Sequence, residues 1–152
     1  MDNDKVIDLL NDLIETCKDG QEGFRQAAEY VRIVELKSFF NDVSLVRGRM
    51  VSDLQARVLQ FGGRPDTHGS VSGALHRTWL GLKGTVSLND GTVLSSVEAG
   101  EDAAVKSFEK VLKEPLPPDL LNLIEQQYRN IKNSHDQVRK LRDSGLYKTK
   151  TV

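Results

Sequence analysis

The chain has 152 residues, 38% of them hydrophobic, which suits one domain with a buried core. Its 21 basic and 22 acidic side chains leave a formal net charge of −1, so charge alone attracts neither nucleic acid nor an anionic membrane. Cys17 is the only cysteine, which excludes an intramolecular disulfide. The N-terminal sequence MDNDKV lacks the pattern of a signal peptide, so we expect a cytoplasmic protein.

Apolar residues recur in alternating steps of four and three through the first 61 residues, which is the period of amphipathic helices. The first stripe predicts a helix over residues 4–32, with Asp2 or Asn3 as its cap. Gly20 lies on that stripe and indicates a close approach of a neighbouring helix. The second stripe predicts a helix over residues 34–61, ended by the Gly-Gly-Arg-Pro sequence that follows.

The second half of the chain predicts three further helices. A short pattern of Leu75, Trp79 and Leu82 indicates a short helix after a loop, and a long helix then runs from about residue 90 to residue 114. The PLPP sequence at 115–118 separates it from a final helix that ends between residues 142 and 145.

Together these elements predict an all-α, ferritin-like four-helix bundle with a short extra helix in the crossover from helix two to helix three. We expect a single domain over residues 1–145, followed by a frayed C-terminal tail over residues 146–152.

Polar residues interrupt three of the apolar stripes. Glu101 lies near the centre of the third long stripe, Arg47 near the centre of the second, and His135 on the last. A buried carboxylate without a partner is costly, so we predict a buried polar cluster of these three residues. We predict that Arg47 and Glu101 form a buried, hydrogen-bonded ion pair near the middle of the bundle, with His135 one or two turns away.

The dinuclear metal chemistry of ferritin-like bundles requires inward Glu on two helices and Glu-x-x-His on the other two. No histidine here has Glu three residues before it: His68, His76 and His135 follow Pro65, Gly73 and Lys132. Acids of the first helix lie off its stripe, and Arg47 would repel a metal pair. The residues therefore predict no dinuclear site and no catalytic residues.

Several segments resemble one bacterial family. These are residues 10–24, 61–83 with the pattern GGxPxxxGSxxGxxHRxW, 100–112 and 135–143. Together they resemble a bacterial family of ferritin-like four-helix-bundle proteins, the domain of unknown function 2383. The resemblance implies the bundle fold and a bacterial, cytoplasmic origin, is compatible with a stress-related role, and brings no assigned reaction.

Two functional hypotheses follow. The first is a non-enzymatic helical-bundle protein without a cofactor that acts through self-association, as a homo-oligomer, or through a protein partner, with neither nucleic acid nor membrane as a partner. The alternative is a ferritin-like metal-binding or redox protein with a reduced, atypical site, in which Glu98, Glu101 and His135 bind iron or manganese.

Overall fold

A computed structural model describes residues 1–65 and 89–147 of the chain. These residues form four long helices: α1 (Asn3–Tyr30), α2 (Val34–Gln60), α3 (Asp90–Leu112) and α4 (Pro118–Asp143). The described residues contain no strand, and the predicted all-α four-helix bundle is confirmed. The predicted short helix with Leu75, Trp79 and Leu82 lies outside the described residues, as do residues 148–152 of the tail.

Local residues set the N-terminal ends of α1, α3 and α4. The side chain of Asp2 caps α1 by accepting a hydrogen bond from the Lys5 amide at 2.8 Å. Asn89 and Thr92 form a reciprocal capping box at the start of α3, with both amide-to-side-chain distances at 3.0 Å. Pro118 occupies the first turn of α4, where no amide hydrogen is needed.

The glycine pair after α2 terminates that helix. Gly62 has a φ of 84°, a left-handed conformation that glycine adopts without steric cost. Its amide donates to the Leu59 carbonyl at 3.0 Å, and the Gly63 amide donates to the Val58 carbonyl at 2.9 Å. These two bonds form a Schellman motif, so α2 ends close to the position that the sequence predicts.

Helix α1 packs against both α2 and α3, while α4 packs closely on α3 and only loosely on α2. Helices α2 and α3 are therefore diagonally opposed. The Asp90 carboxylate accepts hydrogen bonds from the Arg32 and Ile33 amides at 2.9 and 3.2 Å. The start of α3 thus lies beside the start of α2, and the two helices run parallel, as a long crossover between them allows.

The core consists of two apolar clusters stacked along the bundle axis. One contains Cys17, Met50, Ala104 and Ile131, and the other contains Phe24, Val43, Val97 and Val138. Arg47 on α2, Glu101 on α3 and Ser134 on α4 lie between the two clusters. None of the four described helices has an apolar stretch sufficient to cross a lipid bilayer.

Candidate functional site

The middle of the bundle holds a buried polar cluster of Arg47, Glu101 and Ser134. Nη2 of Arg47 donates to Oε2 of Glu101 at 2.7 Å and to Oγ of Ser134 at 3.0 Å. The Ser134 hydroxyl lies 2.8 Å from the same Glu101 oxygen and 3.0 Å from the Ile131 carbonyl, and its single proton can be donated to either acceptor. The side chains of Arg47 and Glu101 are both 0% exposed.

The surroundings of the Arg47 guanidinium show why Gly20 lies on the α1 stripe. A Cβ at Gly20 would be only 2.7 Å from Nη1 of Arg47. The Phe24 ring lies on the same side, with its centroid 5.3 Å from Cζ, a distance suited to a cation–π contact. Nε and Nη1 have no hydrogen-bond acceptor within the described structure. Helix α1 thus leaves space for the Arg47 guanidinium and contacts it with an aromatic ring. Helices α3 and α4 supply the oxygen atoms that accept its hydrogen bonds.

Cys17 lies near this charge pair and is fully buried. Burial raises the pKa of its thiol to about 12; Arg47 lowers this pKa and Glu101 raises it, both by smaller amounts. The thiol is therefore protonated at neutral pH and is not a nucleophile, because only the thiolate is reactive. The three members of the central cluster bind one another, and the side chains of Arg47 and Glu101 have no exposed surface.

His135 lies beside this cluster but binds other residues. Its Nε2 is 2.6 Å from Oδ1 of Asp102 on α3, and its Nδ1 is 3.0 Å from Oδ1 of Asp136 on α4. Glu98 lies nearby, and potential ligand atoms of Glu98, Asp102 and His135 are within 4.8 Å of one another. The histidine side chain is 4% exposed and that of Asp102 is 48% exposed, so this second cluster opens to solvent.

The acidic neighbours set the protonation of His135. Burial of the ring opposes protonation, but hydrogen bonds to Asp136 and Asp102 outweigh it, and the pKa of His135 is raised above its ordinary value. The hydrogen bond from His135 lowers the pKa of Asp136. The site therefore favours a positive charge at the imidazole.

The family model for the Domain of unknown function (DUF2383) matches residues 5–114. The chain belongs to the DUF2383 family. The family resemblance predicted from the sequence is thereby confirmed, and the matched range covers α1 from Lys5 onward together with α2 and α3. A search of curated proteins finds no significant match. Because the family description assigns no activity, the function of this DUF2383 protein has to be argued from its surfaces and side-chain clusters.

The fold also allows a test for the dinuclear metal centre of ferritin-like bundles. At the middle of this DUF2383 bundle, the described residues supply one carboxylate, from Glu101, and a buried arginine already bound to it. A dinuclear centre needs several inward carboxylates and carries its own positive charge. The described residues in the centre of the bundle therefore do not fit such a centre.

The structure rearranges the residues proposed from the sequence. It brings Arg47 and Glu101 together, but places the ring of His135 toward Asp102 and Asp136 instead of toward that pair. The alternative hypothesis grouped Glu98, Glu101 and His135 as metal ligands. In the structure, Glu98 and His135 lie together, but Glu101 points into the core and Asp102 is the third member of the group. The sequence signal for Asp102 is its spacing of four residues from Glu98, which puts both carboxylates on one helix face.

Proposed function

We propose that this protein acts through self-association, in which the outer face of α2 packs against the same face of a second copy. The observation that carries the proposal is the exposure of three large apolar side chains on α2. Val34 is 72% exposed, and Leu45 and Leu59 are each 63% exposed. At 3.6 residues per turn, Leu45 is rotated from Val34 by about 20° and Leu59 from Leu45 by about 40° in the opposite sense.

The exposed uncharged residues of this side define the outer face of α2: Val34, Ser38, Asn41, Leu45, Ser52, Ala56 and Leu59. The other exposed large apolar residues in the described structure lie near chain or helix ends: Met1, Tyr30 and Leu146. Large apolar side chains exposed along one uncharged side of a helix are a feature of surfaces that bind another protein. Contact with a partner would bury side chains that a monomer leaves in water.

The distribution of residues favours a second copy in antiparallel orientation. One register places Val34 opposite Leu59 of the second copy, and Leu45 opposite Gly48 of the second copy. The same register brings Asp42 beside Arg49 of the second copy, and two-fold symmetry repeats this pair. The face therefore complements itself in charge.

The size of the face limits the strength of the contact. A helix of 27 residues is about 40 Å long, so a stripe about 10 Å wide buries about 400 Å² per copy. The total of about 800 Å² is below the range of stable protein interfaces and belongs to weak, reversible contacts. We therefore expect a dissociation constant in roughly the micromolar to millimolar range.

Sedimentation equilibrium from about 10 μM to about 1 mM tests this proposal over the range expected from the interface size. The unmodified chain should shift from monomer toward dimer as its concentration rises, whereas Leu45→Glu and Leu59→Glu should remain monomeric. Leu146→Glu is the matched control, because Leu146 is 77% exposed but lies outside α2. A monomer throughout, or a dimer insensitive to Leu45→Glu, would refute the contact.

A charge exchange tests the antiparallel register of the two copies. Asp42→Arg and Arg49→Asp should each weaken the dimer by placing like charges together. Combining both substitutions in one chain should restore it, because the pair is then reversed on both copies. Failure of the double variant to recover would argue against the antiparallel register.

A further inference from the structure

The cluster of Glu98, Asp102 and His135 is a different feature from the α2 face. Glu98 and Asp102 are four residues apart on α3 and project from the same side of that helix. His135 reaches them from α4, and one potential ligand atom of each residue lies within 4.8 Å of the others. We infer that these three residues bind a single divalent transition-metal ion between α3 and α4.

The orientation of the imidazole supports this inference. When Nδ1 carries its hydrogen and donates it to Asp136, the lone pair of Nε2 points toward Oδ1 of Asp102, 2.6 Å away. In the charged imidazole a proton lies between these two atoms, and a metal ion would displace that proton and bind both the Nε2 lone pair and the carboxylate oxygen. A metal ion bound to both atoms at about 2.0 to 2.2 Å would require only a small increase in the distance between Nε2 and Oδ1. Asp102 can supply it, because its side chain is half-exposed.

The residues around the three ligands match the outer shell of metal sites. A metal-bound histidine usually donates its other ring hydrogen to a carboxylate or carbonyl, and Asp136 supplies that acceptor. Arg142 binds Oε2 of Glu98 at 2.8 Å, which positions the carboxylate while its second oxygen can bind a metal ion. Glu98 is 13% exposed, so this support holds a mostly buried ligand.

The ligand types define the class of ion. One imidazole and two carboxylates suit Zn²⁺, Fe²⁺ or Mn²⁺, whereas Ca²⁺ and Mg²⁺ prefer oxygen ligands alone. Three protein ligands leave coordination positions for water on the exposed side of Asp102. Such a site differs from a ferritin-like centre because it holds one ion and lies beside the buried Arg47–Glu101 pair.

Calorimetric titration of the untagged, chelator-treated full chain with Zn²⁺ tests the inference. We expect one ion per chain, with binding weakened at least 100-fold by His135→Gln or Asp102→Asn. Asp136→Asn should weaken binding about 10-fold, since it removes only the hydrogen bond that orients the ring. Asp53→Asn is the control, because Asp53 is an exposed acid on α2.

Histidines elsewhere in the chain are a second possible source of Zn²⁺ ligands. His68→Gln combined with His76→Gln should bind Zn²⁺ normally; if this variant loses binding while His135→Gln keeps it, the ligands lie elsewhere and the inference is wrong. Absence of Zn²⁺ binding by the unmodified chain would also overturn it. Leu45→Glu should bind Zn²⁺ normally, so failure of the α2 contact and failure of the metal site are distinguishable. Circular dichroism of each variant checks that the helices remain folded.

Discussion

Arg47 on α2 and Glu101 on α3 join two diagonally opposed helices through the centre of the bundle, with 2.7 Å between Nη2 and Oε2. Neither side chain is exposed to solvent. The pair lies between two apolar clusters, so it aligns the middle of α2 with the middle of α3. Because other arrangements would leave a buried charge without its partner, the pair favours the parallel register that the long crossover permits.

The first prediction concerns the energetics of this pair. Glu101→Leu should lower the free energy of unfolding by about 3 to 5 kcal/mol, because it leaves the buried Arg47 charge without its carboxylate partner. The double variant Arg47→Leu with Glu101→Leu should be more stable than Glu101→Leu alone. Denaturation with urea, followed by circular dichroism, measures both changes. A double variant no more stable than the less stable single variant would show that the two charges do not depend on each other.

The second prediction contrasts two glycines in helix interiors. Gly20→Ala places a Cβ 2.7 Å from Nη1 of Arg47, whose guanidinium is held by Glu101, and should destabilise the protein by about 1 to 3 kcal/mol. Gly48→Ala meets the end of the partly exposed Gln21 side chain at 2.8 Å, which can move away. It should stabilise the protein by about 0.5 to 1 kcal/mol through helix propensity.

A combined variant identifies the cause of the Gly20 effect. In the background of Arg47→Leu with Glu101→Leu, Gly20→Ala should cost much less, since the atom it approaches is gone. Thermal unfolding of the four chains in this cycle gives the coupling directly. An unchanged cost would mean that some other contact of Gly20 is responsible.

The period of apolar residues was sufficient to predict the four helices. Their observed ends lie close to the predictions because the signals that set them are local: Asp2 as a cap, Gly62 in a left-handed turn and Pro118 in a first helical turn. The pairing of Arg47 with Glu101 could also be anticipated, because each lies at the centre of an apolar stripe. An ionised residue at such a position has few partners available to it.

The environment of His135 could not be predicted in the same way. The apolar pattern of the last helix predicted that His135 points to the centre, but the buried face of α4 also includes Gln127 and Ser134. Polar residues in a core do not contribute to the apolar period. The face of α4 that is actually buried is therefore rotated relative to the face that the apolar residues predict. This rotation places Ser134 against Arg47 and leaves His135 at the side of the bundle, near Asp102.

The third prediction concerns the carboxylate that connects the start of α3 with the α1–α2 loop. Asp90→Asn should lower the free energy of unfolding by about 1 to 2 kcal/mol, because the amides of Arg32 and Ile33 lose a charged acceptor. Asp119→Asn is the matched control, since Asp119 also lies in a first helical turn but is exposed. It should cost only the dipole contribution of about 0.3 to 1 kcal/mol. Equal effects in chemical denaturation would contradict a role for the two amide contacts.

The fourth prediction uses Cys17 as a probe of unfolding. Its thiol is fully buried and burial raises its pKa to about 12, so a disulfide reagent at pH 8 should not react with the native protein. Reaction should begin only at urea concentrations that unfold the bundle. In Ser95→Cys, one thiol per chain should react at once, because Ser95 is exposed on α3. Rapid reaction of the native, unsubstituted chain would show that the core opens locally around Cys17.

The fifth prediction is a pH dependence of stability that originates at His135. Its pKa in the folded protein is raised above the ordinary value of 6.5, so the folded state binds the proton more tightly than the unfolded state. The resulting stabilisation is fully present below about pH 6.5 and is lost as the pH rises through the folded pKa. Asp136 and Lys132 on α4, Asp102 and Glu98 on α3, and Arg142 are the charged groups that surround the ring.

The measurement compares the unmodified chain with His135→Gln, whose side chain does not titrate. With a chelator present, the difference in unfolding free energy should be larger at pH 6 than at pH 9, because the unmodified chain loses the charged imidazole on this interval. Subtracting the stability curve of the variant from that of the unmodified chain removes the contributions of titrating groups that both chains share. Asp136 titrates below this pH interval because its pKa is lowered. Asp136→Asn should reduce the pH dependence by removing one hydrogen bond to the ring. A difference that stays constant between pH 6 and pH 9 would contradict a raised pKa at His135.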